Sequence, residues 1–205
     1  MNKKGLLIVI SGPSGAGKGT ICKAILEKHP EIQLSVSVTT RPLREGEVDG
    51  VNYFFKSEGE FLAMVENGEF LEYAKVFDAY YGTPKKYVKD MLLAGQDVIL
   101  EIDIQGALKV KDKFEEGVFI FIVPPSMDEL KRRIVSRGTE SQEAIVKRFQ
   151  SAYQELNFIS RYNYVVVNDT IEEATRKIEA IIIAEKCRVD RNREMNIILQ
   201  GGEIK

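Results

Sequence analysis

The stretch richest in chemical potential is Gly12-Pro13-Ser14-Gly15-Ala16-Gly17-Lys18-Gly19-Thr20, which follows an apolar run and leads into a helical pattern. In a strand–loop–helix setting, glycines let backbone N–H groups converge on phosphate oxygens, and the helix N-terminus adds a favourable dipole. Lys18 brings a flexible positive charge for the β- and γ-phosphates of a nucleoside triphosphate. The general form of such a loop has Ser or Thr directly after the lysine, where the hydroxyl reaches magnesium. Here Gly19 holds that position and the hydroxyl arrives one residue later, on Thr20. That shift leaves the direct magnesium ligand open, and Thr20 reads as a phosphate contact or a helix-start residue. A second basic cluster, Lys131-Arg132-Arg133 and Arg137, falls in a helical stretch, with Arg133 and Arg137 four residues apart and so on one face.

Four short apolar runs must position these groups: Leu6 to Ile10, Val98 to Ile102, Val118 to Val123 and Tyr164 to Val167. Unbroken runs, without alternation, are expected of parallel strands covered on both faces. Helical stretches separate them. Ser126 with Glu129, and Thr170 with Glu173, carry the capping-box spacing that opens a helix. Alternating strands and helices predict an α/β fold with a parallel sheet. The segment from Leu34 to about Lys85 breaks the rhythm. Val36 and Val38 alternate with polar neighbours, Tyr53 to Phe55 and Phe70 to Phe77 are β-like, and Ser57 with Glu60 starts a short helix. It reads as a small mixed lobe inserted into the α/β core. The polar stretch Ser136 to Ser141 joins two helices as a candidate lid.

Along this framework the chain resembles the guanylate kinase family. The GKGT arrangement of the loop is shared with nucleoside monophosphate kinases, and the match is carried by motifs that follow in order. They are Ser35-Val36-Ser37-Val38-Thr39-Thr40-Arg41-Pro42-Leu43-Arg44, Glu45 to Tyr53, Glu69-Phe70-Leu71-Glu72-Tyr73, and Tyr80-Tyr81-Gly82-Thr83. Glu101-Ile102-Asp103-Ile104-Gln105-Gly106, Pro124 to Leu130, Arg137 to Glu140, and Val167-Asn168-Asp169 complete the set, so that the resemblance spans about 5–185. It implies a P-loop nucleoside monophosphate kinase core with an inserted GMP-binding lobe and a helical lid.

The same resemblance implies transfer of the ATP γ-phosphate to GMP, and to dGMP, with ATP seated on Gly12 through Thr20. Arg41, Arg44, Tyr53 and Tyr81 would hold the GMP phosphate, a suitable set of donors for a dianion. Ser37, Glu72 and Thr83 would read guanine. A carboxylate at Glu72 accepts from guanine N1–H and the exocyclic amine together, a donor pair adenine lacks. Asp103 would lie near GMP and, with Thr20, near a magnesium ion reached through water. Glu101 reads as a neighbouring support or a strand-end charge. Arg133, Arg137 and Arg148 would close on the transferring phosphates, joining Lys18 and Arg41 as catalytic groups. Lys131 and Arg132 read as a solvated face. Asn168 and Asp169 lie near the ATP base or simply form a turn, two equal readings.

Composition bounds the rest. At 205 residues the chain suits one domain, expected as core 1–33, 86–125 and 160–190, lobe 34–85, lid region 126–159 and tail 191–205. Cys22 and Cys187 show no metal spacing, and the single histidine, His29, sits at a helix end before Pro30. A histidine metal cluster is therefore excluded by count. No run approaches the ~20 apolar residues a membrane helix needs, so no membrane role is expected. The net charge of −2 argues against broad nucleic-acid binding. A cytoplasmic protein with ATP and GMP as substrates, and without an obligatory protein partner, is expected. Two rivals stay open: a kinase for another nucleotide, disfavoured by Glu72, and a noncatalytic peptide-binding module, disfavoured by Lys18 and the lid arginines.

Overall fold

The computed structural model describes residues 4–135 and 142–192, excluding the side chains of 142–145, 147 and 148. The run Leu7–Ser11 forms β1, with all five residues buried. The glycine loop follows, and then α1 (Lys18–Lys28). Next come β2 (Gln33–Leu34), β3 (Val38–Thr39), β4 (Phe54–Phe55), α2 (Glu58–Glu66), β5 (Phe70–Val76) and β6 (Ala79–Pro84). The chain continues through α3 (Lys85–Leu93), β7 (Val98–Glu101), α4 (Ile104–Lys111), β8 (Val118–Val123) and α5 (Met127–Val135). It then runs through α6 (Gln142–Glu155), a 3-10 turn at Leu156–Arg161, β9 (Tyr164–Val167) and α7 (Ile171–Lys186).

Five strands make a parallel sheet in the order β2-β7-β1-β8-β9. Both faces of the three central strands are covered, which explains why β7, β1 and β8 read as unbroken apolar runs. The edge strand β9, expected to be buried like them, instead leaves Val165 54% and Val167 40% exposed. On one face Ile8, Ile10, Ile120 and Ile122 pack with Ile21 and Ile25 of α1 and Ile178 and Ile182 of α7. On the other, Leu7, Val9, Leu100 and Phe119 meet Val88 and Leu92 of α3 and Ala107 and Val110 of α4. The glycine loop leaves the C-terminal end of the central strand, where the order of connection switches sides, the position at which open α/β sheets bind ligands.

The inserted lobe is a four-stranded mixed sheet, β4-β3-β6-β5, with its own aromatic core. Phe61 stacks between Phe70, at 4.6 Å, and Tyr80, at 5.4 Å. Gly82 makes that packing possible, since a Cβ there would lie 2.7 Å from the Phe70 ring. The strand β6 and the turn before it, with Phe77 at φ 54°, were not visible in the sequence pattern. Nor was β2: Leu34, expected at the start of the lobe, pairs with Ile99 in the main sheet.

The helix starts follow their caps. Ser57 and Glu60 form a reciprocal capping box on α2. Ser126 and Thr170 each accept from the backbone N–H three residues on, at Glu129 and Glu173. The Glu129 and Glu173 side chains instead pair with Arg132, Arg133 and Arg176, so only half of each box forms. The candidate lid 136–141 and the tail beyond Asn192 lie outside the described residues.

Candidate active site

The glycine loop is held from below by packing. Gly12, at φ 140°, sits so close to β8 that a Cβ would meet the Ile122 carbonyl oxygen at 2.2 Å. Gly17, at φ 90°, caps α1 in the left-handed region. Asn168, 5% exposed at the end of β9, donates from Nδ2 to the Ala16 carbonyl at 2.7 Å. It therefore braces the loop from behind, a more specific position than the turn or base contact read from sequence. Asp169 is exposed just before the α7 cap. Pro13 is buried, Ser14 and Gly15 are half-buried, and Gly19 and Thr20 are exposed at the start of α1.

Lys18 folds back over this loop, donating from Nζ to the carbonyls of Gly12 at 2.7 Å and Pro13 at 3.2 Å. Burial holds its ammonium below the usual lysine range, with Glu101, Glu155 and Asp103 opposing that shift. Glu101 lies beside the loop: a Cβ on Gly19 would stand 3.3 Å from its Oε1. Its field also reaches Tyr53 of the lobe, whose phenol burial first and Glu101 second push up to about 12. Glu101 thus acts through its charge on both Lys18 of the phosphate loop and Tyr53 of the lobe.

In the lobe, Arg41 is gripped by a residue to which the sequence pattern assigns no role. Glu47 accepts from Arg41 Nη1 at 2.7 Å and Nη2 at 2.5 Å, and from the Arg44 backbone N–H at 2.9 Å. The Arg41 guanidinium lies 4.9 Å from the Tyr53 ring centre and 5.4 Å from that of Phe55. Tyr53 and Tyr81 meet edge to face at 5.9 Å. Arg41, Tyr53 and Tyr81 are therefore brought together, while the Arg44 side chain is exposed at the rim. Glu47 falls within the motif Glu45 to Tyr53, but an opposite charge six residues from Arg41 in a loop without periodicity does not by itself signal this pairing.

Glu72 and Thr83 face each other across β5 and β6. Glu72 is 4% exposed; its Oε1 accepts from Thr83 Oγ1 at 2.7 Å, and its Oε2 is buried without a hydrogen-bond partner among the described residues. Burial pushes its carboxyl up to about 7, against the Thr83 bond, with Asp103 adding to the rise. Ser37 is buried one residue before β3. Asp103 caps α4, its Oδ1 accepting from the N–H groups of Gln105 at 2.7 Å and Gly106 at 3.1 Å. An Asp directly after an apolar strand run is itself a helix-start signal, which reading Asp103 only as a ligand contact passes over.

Among the arginines, Arg133 donates from Nε to Glu129 at 2.7 Å and from Nη2 to the Asn168 carbonyl at 3.1 Å. Its Nη1 stands 4.0 Å from where a Cβ on Gly17 would lie, so it borders the loop. Arg132 points to solvent, 77% exposed, and shares Glu129. Arg137 lies outside the described residues; Arg148 belongs to α6, but its side chain is not described. Among the described residues no cluster of three or more His, Cys, Asp or Glu side chains is placed to hold a metal ion. The Thr20 hydroxyl and the Glu101 and Asp103 carboxylates supply oxygen, which suits a hard cation that keeps several waters. No described helix is long and apolar enough to cross a membrane.

The family model for guanylate kinase matches residues 4–185. A guanylate kinase of Caldanaerobacter subterraneus subsp. tengcongensis is 68% identical over 100% of this chain and 99% of its own length. One of Clostridium perfringens is 64% identical over 94% of this chain and 89% of its own. The crystal structure of guanylate kinase from Anaplasma phagocytophilum superposes with a TM-score of 0.81 at 38% identity, covering 95% of each chain. With a glycine loop at the end of β1, an arginine–tyrosine cluster in the inserted lobe and this likeness along its length, the chain belongs to the guanylate kinase family.

Proposed function

We propose that the two half-sites work as one centre, with ATP on the loop from Gly12 to Thr20 and GMP in the lobe. The activity is that of an ATP:GMP phosphotransferase. The observation that carries the assignment of substrate to residues is the unpartnered Glu72 Oε2. A buried carboxylate oxygen without a donor is costly, and a ligand bearing an N–H pair removes that cost. Guanine presents N1–H and its exocyclic amine along one edge. Glu72 accepts both, while Thr83 and Ser37 bound the pocket and Thr83 fixes the second carboxylate oxygen. Adenine leaves Oε2 unpaired and is rejected.

Arg41, held flat by Glu47 over Tyr53, presents its guanidinium to the GMP phosphate, with Arg44 and the hydroxyls of Tyr53 and Tyr81 completing the cradle. Lys18 exchanges its loop carbonyls for phosphate oxygens. An oxygen of the GMP phosphate then attacks the γ-phosphorus in line, the bond from that phosphorus to the β,γ-bridging oxygen breaks, and ADP leaves. No covalent phosphoenzyme is involved. Arg133, with Arg137 and Arg148, neutralises charge on the phosphoryl group in flight. A bound magnesium ion supplies further charge neutralisation at the phosphates. Thr20 and Asp103 are the residues that would hold it through water, beside the Glu101 carboxylate. Closure of the lid region excludes water and so protects ATP from hydrolysis.

The test is an ADP-release assay comparing GMP, dGMP, AMP, UMP and CMP at fixed ATP and magnesium. GMP and dGMP are expected to be turned over and the other three to stay near background. Turnover of AMP or a pyrimidine nucleotide at a similar kcat/KM would overturn the assignment of Glu72.

A further inference from the structure

Glu72 reaches the site from β5, and what it packs against is the first turn of α4. A Cβ on Gly106 would lie 2.6 Å from Glu72 Oε2, 3.0 Å from its Cδ and 3.4 Å from its Oε1. Side chains do not approach that closely, so the carboxylate occupies its position only because residue 106 has none. The backbone itself does not require glycine there, since Gly106 is not among the glycines of positive φ. In a helix glycine carries a conformational cost relative to alanine. The space it leaves for Glu72 is what offsets that cost.

The same face of α4 fastens β5 on either side of Glu72. Lys109 Nζ donates to the Tyr73 carbonyl, and Lys113 Nζ, just past the end of α4, donates to the Leu71 carbonyl at 2.7 Å. Strand and helix are thus tied at the two carbonyls flanking the carboxylate, so an added side chain at residue 106 meets the carboxylate end of Glu72 first. We propose that Gly106 is a positioning residue for specificity, its missing side chain setting the place of Glu72 Oε2 and hence the preference for a purine carrying a 2-amino group. The inference rests on the reading of Glu72 as the guanine acceptor.

The test compares GMP with IMP, which lacks the exocyclic amine, in wild type, Gly106→Ala and Glu72→Gln. Gly106→Ala is expected to lower kcat/KM for GMP about tenfold or more and for IMP much less, with KM for ATP within about twofold. Thermal unfolding adds a second readout. Gly106→Ala should lower Tm when Glu72 is present, yet leave or raise it in a Glu72→Ala background, where the clash is gone and alanine favours the helix. An equal Tm loss in both backgrounds would assign Gly106 to helix packing alone and overturn the proposal. If Glu72→Gln collapses the GMP/IMP ratio while Gly106→Ala keeps it, only this inference fails. If Glu72→Gln itself leaves the ratio unchanged, the reading of Glu72 fails and this one falls with it.

Discussion

The Arg41 guanidinium is locked at both terminal nitrogens by the Glu47 carboxylate, and both side chains are largely buried, 11% and 19% exposed. A phosphate-binding arginine held this way is placed before its ligand arrives, so less ordering entropy is lost on binding. Glu47→Gln keeps the shape but not the charge pairing. It is expected to raise KM for GMP about three- to tenfold, a modest effect because the pair is not fully buried. KM for ATP should not change, and initial-rate kinetics with each substrate varied in turn would read both. An unchanged KM for GMP would show that Arg41 needs no partner to find the phosphate.

How much of this could be read from the chain depends on how far apart the partners lie. The strand β1 and its loop are local: an apolar run ends, glycines begin, and the lysine follows. The box at Ser57 and Glu60 is equally local, and its spacing alone was enough to place the start of α2. By contrast β2 is two residues long and exists because Gln33 and Leu34 find Val98 and Ile99, far along the chain. The brace from Asn168 to Ala16 spans 152 positions, and nothing around Asn168 distinguishes it from a turn-former. Glu47 and Gly106 were visible as letters in matching motifs, but their duties are set by distances that only the fold creates.

That Asn168 brace leads to a second prediction. Asn168→Ala leaves the buried Ala16 carbonyl without its donor, a loss of about 1–3 kcal/mol. It also frees the main-chain segment that holds Arg133 through the Asn168 carbonyl. The expected result is a lower Tm together with a raised KM for ATP, while KM for GMP stays close to wild type. Arg133→Ala should instead lower kcat at least tenfold with little change in Tm, and the solvent-facing Arg132→Ala should do neither. Equal effects of Arg132→Ala and Arg133→Ala on kcat would reduce the helix face to a solvated basic patch.

Glu72 links recognition to pH, and the sign can be worked out. Its carboxyl is raised to about 7 in the fold, above the ordinary carboxylate value near 4.5. Between those values the folded protein holds a proton that the unfolded chain has released. The stabilising contribution is therefore full below about 4.5 and is lost as pH rises toward 7, on the order of 1–3 kcal/mol. GMP binding needs the ionised form, so it should strengthen over the same window. The GMP phosphate also titrates near pH 6, so the comparison must be with Glu72→Gln, in which that titration persists and the Glu72 contribution is absent. Wild type minus variant should show Tm falling and GMP affinity rising from pH 5.5 to 8. Parallel pH profiles for the two proteins would remove Glu72 as the titrating group.

The position after Lys18 offers the strictest test of the loop. A hydroxyl there would restore the general phosphate-loop pattern, and on sequence grounds Gly19→Ser could gain a magnesium ligand. The structure sets a different neighbour beside that substitution. A Cβ on residue 19 would stand 3.3 Å from Glu101 Oε1, closer than most side chains settle, and 3.5 Å from Oε2, an ordinary contact. The new hydroxyl would then donate to Glu101 or push it aside, and Glu101 is the group whose field acts on both Lys18 and Tyr53. Replacing a water on the ion would not by itself strengthen the transition state, which alone raises the chemical rate. Gly19→Ser is therefore expected to lower kcat, about three- to thirtyfold, at every magnesium concentration. Thr20→Val should also be impaired, since it removes the hydroxyl this loop retains. Adding Glu101→Ala to Gly19→Ser should not worsen the serine variant in proportion, because the two changes act on one contact. The measurement is kcat across a magnesium titration for Gly19→Ser, Thr20→Val, Glu101→Ala and the Gly19→Ser/Glu101→Ala double variant after circular dichroism confirms folding. A gain for Gly19→Ser at low magnesium, with Thr20→Val near wild type, would place the ion at residue 19 and overturn the expectation that the Glu101 contact makes that substitution harmful.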